Sequence, residues 1–376
     1  MRVLWVLSSL EGTEGTMTAA IVASALLHHG FALDVLPLNP LPPQSVPYPF
    51  PDNVEILDCP YVNRLSGVAP LTGLKGLKGY KGLFRRLYSY YDRVILDQNL
   101  DFELKAIMAS GKHHVDARTT LIAHRSLSEL MATRGDQALP IKQLMQRWYP
   151  QISRVITLSS HIGEELRQQF AVPSSHIIHL SLPLSAIETT TNSFLWPGGF
   201  APKAPVVGIF GWLNVFKGVE GLLMIAKTLY DQGLFFHMVV LGDGPSRRSL
   251  EQLAQSLSLD CLFPKWPSDV LAWFRACDII VAPQYLDGSG IDVQLAMFAG
   301  VPVLGYEGPS AVSELISAHK MGELVEMGNP MAMADKLAAW LSQPQIRERY
   351  RFPHNEVTDQ LFGLPMQTKW MDALTR

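Results

Sequence analysis

Short runs of uninterrupted apolar residues alternate along this chain with longer stretches of helical periodicity, and each run ends at a loop. A strand that is apolar on both faces must be covered on both, and such strands alternating with helices pair in parallel. Val3 to Leu7 is the first run. The loop Ser8 to Gly15, a helix over Thr16 to His29 stopped at Gly30, and a second strand at Ala32 to Leu36 follow. Further strands are expected at Arg93 to Leu96, Thr120 to Ala123 and Arg154 to Leu158. The segment from about Glu188 to Pro205 breaks the pattern with Thr, Gly and Pro and is expected to be a linker. The alternation then restarts, with strands at Val206 to Phe210, Phe236 to Leu241, Ile279 to Ala282 and Val301 to Gly305. Helices are expected between them at Val219 to Tyr230, Arg247 to Ser256, Asp269 to Arg275 and Val293 to Phe298.

The chain has 376 residues, 48% hydrophobic and 17% charged, enough apolar material for two cores of about 150 to 200 residues each. The fold class is therefore α/β, with two Rossmann-like, doubly wound parallel-sheet domains expected to face each other across a cleft. The domains are expected at 1–190 and 206–351. An amphipathic C-terminal segment, about 352–376, should return to the first domain and bury Trp370.

A net charge of −3 gives no overall attraction to nucleic acid. Cys59, Cys261 and Cys277 lie far apart without metal-ligand spacing, as reduced thiols in a cytoplasmic protein would. The apolar run at the N-terminus is shorter than a signal or membrane segment requires. One stretch stands out against this background. Residues 74–93 place Lys75, Lys78, Lys81, Arg85, Arg86 and Arg93 among Leu, Tyr and Phe. That mixture suits an anchor lying on anionic lipid at the inner face of a membrane, and equally a solvated loop and helix.

Ligands of open parallel sheets bind beyond the carboxyl ends of the strands, which directs attention to the loops there. In the second half these are FGWLNVFKG at 210–218, LGDGPSRRSL at 241–250, APQYLDGSGID at 282–292 and GYEGPSAVSEL at 305–315. Lys217 is a cation just before a helix, where its ammonium and the helix amides could together meet an anion. Gly242 and Gly244 flank Asp243 directly after a strand, allowing the backbone to approach a ligand closely. In Asp287 to Gly290, two glycines around Ser289 turn consecutive amides inward beside a carboxylate. In the first half, Gly12, Thr13 and Gly15 form the loop after the first strand, and His124 follows the strand Thr120 to Ala123.

The ordered motifs G-W-L-x-x-x-K-G, V-L-G-D-G-P-S-R, A-C-D-I-I-V-A-P, D-G-S-G-I, A-M-F-A-G-V-P-V-L, S-E-L-I and G-E-L-V-x-x-G-N-P resemble the C-terminal domain of family 4 glycosyltransferases. The resemblance covers about Val206 to Trp340. It is weaker in the first half, where EGTEGT at 11–16 is similar to the family's Gly-Gly-x-Glu loop. It implies the GT-B fold and a retaining transfer from a nucleoside-diphosphate sugar, which serves as co-substrate without an obligatory metal. The acceptor could be a glycan, a lipid or a small molecule. The resemblance makes Lys217, Asp287 and His124 the candidate catalytic residues. Gly12, Thr13, Gly15, Gly242, Asp243, Gly244, Gly288, Ser289, Gly290, Ile291 and Gln294 become donor-binding candidates.

Two positions depart from the family pattern. Leu295 stands where the family's second Glu of a Glu-x7-Glu pair binds ribose, and Trp212 stands where an Arg pairs with the diphosphate. Three explanations fit: Gln294 or Arg247 substitutes, the donor is unusual, or the chain is a catalytically weak or inactive subunit acting beside an active partner.

Overall fold

The computed structural model describes residues 1–39, 41, 47–57, 87–98, 118–126, 135, 138–187, 194, 196–197, 201–285, 288–351 and 356–375. They form two compact units, Met1–Ala186 with Leu364–Arg376, and Ile187–Gly363.

The first unit is a seven-stranded sheet in the order β3-β2-β1-β4-β5-β6-β7, with every pairing parallel. Its strands are β1 (Arg2–Leu7), β2 (Ala32–Pro37), β3 (Glu55–Ile56), β4 (Arg93–Asp97), β5 (Thr119–Ala123), β6 (Val155–Thr157) and β7 (Ile177–His179). The apolar runs are buried as a doubly covered sheet demands, and β5 and β6 are buried at every position. Helices α1 (Glu14–His28), α2 (Ala138–Trp148) and α3 (Ser160–Phe170) belong to this unit.

The second unit repeats the plan with six parallel strands in the order β10-β9-β8-β11-β12-β13. They are β8 (Val206–Phe210), β9 (His237–Leu241), β10 (Cys261–Leu262), β11 (Ile279–Ala282), β12 (Val303–Glu307) and β13 (Gly322–Glu326). The connecting helices are α4 (Val219–Asp231), α5 (Arg247–Ser256), α6 (Val270–Arg275), α7 (Ile291–Ala299), α8 (Ala311–His319) and α9 (Pro330–Ser342). Helices α10 (Pro344–Glu348) and α11 (Glu356–Phe362) follow. The core gathers Val207, Leu223, Phe236, Val240, Val281 and Trp340 from strands and helices alike. In both sheets the strand order reverses beside the first strand, between β1 and β4 and between β8 and β11. Loops diverge at such a point and leave a crevice at the strands' carboxyl ends.

The last helix, α12 (Leu364–Thr375), lies in the first unit. Trp370 is fully buried and its indole Nε1 donates to the Ser181 carbonyl at 2.8 Å. Arg93 closes the helix by donating to the Leu374 and Thr375 carbonyls at 2.6 and 2.9 Å. A cation at a helix C-terminus also complements the macrodipole. Arg93 thus has an internal partner, although the sequence groups it with the basic stretch. Lys75, Lys78, Lys81, Arg85 and Arg86 lie outside the described residues.

The return to the first unit starts at Leu364 rather than near 352, because α11 packs in the second unit, where Phe362 meets Phe298 edge to face. The expected linker also has ordered partners. Phe194 and Trp196 pack edge-on against Trp273, which draws this stretch into the second unit from Ile187 onward.

Candidate functional site

The crevice of the second unit lies where the loops after β8, β9 and β11 meet, and glycines set how closely they approach. Gly211 has φ +141°, and a Cβ there would fall 2.9 Å from Lys217 Cε, so the lysine stem crosses the turn where no side chain stands. Gly218, at φ +74°, presses its backbone on the next loop, where a Cβ would meet the Pro283 carbonyl oxygen at 2.1 Å. Gly242 likewise leaves room for the Gly211 carbonyl.

Lys217 sits on a single 3₁₀ turn, Val215–Lys217, capped by Asn214. The Asn214 side-chain oxygen accepts from the Phe216 and Lys217 amides at 2.9 and 3.0 Å, which fixes the lysine backbone. Its ammonium lies 2.7 Å from Asp292 Oδ2 and 3.4 Å from Gln284 Oε1. The Gln284 amide also donates to Asp292 Oδ2 at 3.1 Å. The side chains of Lys217 and Asp292 are only 11% and 4% exposed. A free cation at the helix start is the expectation from sequence; the cation found is paired with a buried carboxylate.

Asp292 is the second residue of α7, whose N-terminal neighbour Gly290 adopts the left-handed conformation. The Asp292 carboxylate accepts from the Val293 amide at 2.9 Å and lies in the positive field of the helix start. Ser289 is fully buried, and Gln294 donates to its carbonyl at 3.2 Å, so Gln294 ties the Gly288 to Gly290 loop to its helix. Ile291 opens α7 and is buried. Leu295 is fully buried in the same helix, while Trp212 is half-buried. Asp287 lies outside the described residues.

The GDGP loop is held by its own chain. Asp243 accepts from the Gly244 amide at 2.9 Å, and a Cβ on Gly244 would collide with the Leu213 backbone. Arg247 donates to the Gly242 and Pro264 carbonyls at 2.5 and 3.2 Å, donates to Phe263, and pairs with Glu251 at 2.9 Å. Its guanidinium is a brace for this loop, which disfavours Arg247 as the substitute for a missing phosphate arginine.

In the first unit, Thr13 caps α1 by accepting from the Thr16 amide at 3.4 Å, and Gly12 is buried in the same loop. A Cβ on Gly15 would fall 2.3 Å from Asp97 Oδ2, so this glycine admits the Asp97 carboxyl to the start of α1. Asp97 ends β4 and His124 follows β5; His124 Nδ1 lies 3.3 Å from Asp97 Oδ1, and both side chains are about 5% exposed. Gln98 Oε1 accepts from the His124 and Arg125 amides at 3.1 and 2.9 Å, fixing the backbone there. Burial, and then the Arg125 charge, push the His124 pKa down to about 3. The imidazole is neutral at pH 7.

Asp97, Gln98, Asn214, Gln284 and Asp292 are the polar residues that the sequence reading did not single out. Asp97 and Gln284 share a legible signal, being among the first polar side chains at the carboxyl ends of the two strands beside each reversal of strand order.

Residues 193–352, nearly the whole second unit, match the sequence profile of the family described as Glycosyl transferases group 1. The second unit is therefore similar to the group 1 glycosyl transferases. The D-inositol 3-phosphate glycosyltransferase of Corynebacterium glutamicum (strain R) is 31% identical over 164 residues, which cover 40% of this chain and 38% of that protein. The match thus spans well under half the length of the first of these curated relatives. Sucrose-phosphate synthase from Thermosynechococcus elongatus superposes with a TM-score of 0.73 at 15% identity, over 100% of this chain and 98% of that one. Anabaena Alr3699/HepE, solved in complex with UDP and glucose, gives 0.72 at 15% identity over 100% and 99%. At such identities the likeness is one of fold, and the fold is GT-B.

Among the described residues no helix is long and apolar enough to cross a membrane. No cluster of His, Cys, Asp and Glu with metal-holding geometry occurs among them either.

Proposed function

We propose that the chain transfers a glycosyl group from a nucleoside-diphosphate sugar to an acceptor with retention of configuration. The observation that carries this reading is the coincidence of the family match at 193–352 with a crevice where Lys217, Gln284, the Gly288 to Gly290 loop and the start of α7 converge. Breaking the bond between the anomeric carbon and the diphosphate builds negative charge on the leaving oxygens. A cation and oriented amides stabilise that charge. The acceptor hydroxyl oxygen then bonds to the anomeric carbon on the same face, and its proton passes to the departing phosphate. The protein's work is to orient the two substrates and meet the developing charge.

In this reading Lys217 faces the diphosphate, Asp287 and the loop amides face the donor sugar, and neutral His124 is the hydrogen-bonding candidate of the first unit. The basic, aromatic stretch from Lys75 to Arg86 supports a lipid or membrane-bound acceptor, with the chain working at the cytoplasmic face. UDP-sugars are the first donors to try, since a neighbour of the same fold was solved with UDP.

Incubation of the purified chain with UDP-, GDP- and ADP-sugars, with and without membrane lipids, tests the reading. Transfer or slow donor hydrolysis is expected, with the anomeric configuration of the product read by NMR. Binding without any turnover would favour the second reading, a glycan- or partner-binding subunit. Leu295 in place of a ribose-binding carboxylate and the engagement of Lys217 by Asp292 are the observations on its side.

A further inference from the structure

We propose that Asp292 is a built-in occupant of the anion site, a carboxylate standing where a donor phosphate must bind, so that donor binding requires Lys217 to exchange one anion for another. The inference rests on the donor-site reading above and deepens it. Three features that would hold a phosphate oxygen converge on this one carboxylate. Lys217 Nζ approaches Oδ2 to 2.7 Å, Gln284 Nε2 donates to the same oxygen at 3.1 Å, and the first turn of α7 supplies the Val293 amide to Oδ1 at 2.9 Å. Helix N-termini beside a lysine are ready sites for phosphate, and here the chain's own carboxylate lies in the site.

The charges make the consequence definite. A phosphate oxygen hydrogen-bonded to Lys217 lies no more than about 5.5 Å from Asp292 Oδ2, given the 2.7 Å ion pair. At that range, in a crevice largely closed to water, the repulsion cancels much of the attraction to the ammonium. Arg247 offers no relief, because its guanidinium braces the Gly242, Phe263 and Pro264 carbonyls. A dianionic diphosphate therefore binds weakly while Asp292 keeps its charge and place. Asp292 lies three residues before Leu295, one turn earlier on the same face of α7, so a carboxylate is present on this face and serves the lysine.

The test is titration calorimetry of inorganic pyrophosphate and UDP into the full chain and into Asp292→Asn, Asp292→Ala, Lys217→Ala and Lys217→Ala/Asp292→Ala. Both single Asp292 variants should bind pyrophosphate and UDP at least about tenfold more tightly than the parent, and Lys217→Ala should abolish the gain. Equal or weaker binding by Asp292 variants whose circular dichroism and melting match the parent overturns the inference; if the parent still binds UDP, the donor reading survives. If no form binds either probe, both fall together. A crystal structure of the parent with UDP needs no variant: Lys217 should leave Asp292 for a phosphate oxygen, and a diphosphate bound elsewhere with the 2.7 Å pair intact refutes the exchange.

Discussion

His124 joins a buried neutral ring to a carboxyl group, and its consequence for pH follows from the direction of its shift. Its pKa falls from the ordinary 6.5 to about 3 on folding, with burial the largest cause. The unfolded chain therefore takes up this proton near pH 6.5, whereas the folded chain resists it until about pH 3. The contribution to stability is fully present above the unfolded value and is lost as pH falls through that window. Replacement of His124 by Gln should flatten this part of the acid unfolding curve, measured by denaturant midpoints at several pH values. An unchanged slope would show that the ring protonates freely in the folded state. At the neighbouring position, Gly15→Ala would place a methyl group 2.3 Å from the Asp97 carboxylate. Overpacking of that kind costs about 1 to 3 kcal/mol, and a thermal melt as stable as the parent would show that Asp97 can swing away.

Among the elements, α12 is tied to its surroundings both by a buried side chain and at its C-terminal end. Trp370 is wholly buried and hydrogen-bonded to Ser181, and Arg93 closes the helix end. Trp370→Ala should destabilise the first unit by about 3 to 5 kcal/mol, read by chemical denaturation. A loss below about 1 kcal/mol would mean that α12 docks without this side chain. Elements were legible from sequence where apolar runs were long: β1, β5, β8 and β11 lie within a residue of their expected bounds. The edge strands Glu55–Ile56 and Cys261–Leu262 have two residues each, too few for any periodicity to show. The start of α7 was placed too late for a definite reason. Its N-cap is Gly290 in the left-handed conformation, with no side-chain cap, so the usual Ser, Thr or Asp signal is missing. Sequence pattern alone therefore leaves Asp292 in the preceding loop. Its pairing with Lys217 joins positions 75 apart in sequence, which local pattern cannot reveal.

At the scale of the whole molecule, two sheets are wound alike, yet only the second unit carries the family match. Both units have a reversal of strand order and a polar cluster beside it, Asp97 with His124 in one and Lys217 with Asp292 in the other. Their electrostatics differ: the first holds a neutral imidazole beside a carboxyl group, and the second holds an ammonium paired with a carboxylate. A nucleoside diphosphate should therefore be sensed first by the second unit. Hydrogen exchange with saturating UDP is expected to slow the amides of 211–218, 242–247 and 288–294, which form the loops and helix starts at its crevice. Protection confined to the first unit would reverse this assignment. Lys217→Ala should remove the protection by weakening UDP binding roughly tenfold to a hundredfold, the loss of one charge-assisted hydrogen bond of about 1.5 to 3 kcal/mol. Protection that persists in Lys217→Ala at the same UDP concentration would leave this lysine as a structural partner of Asp292 alone.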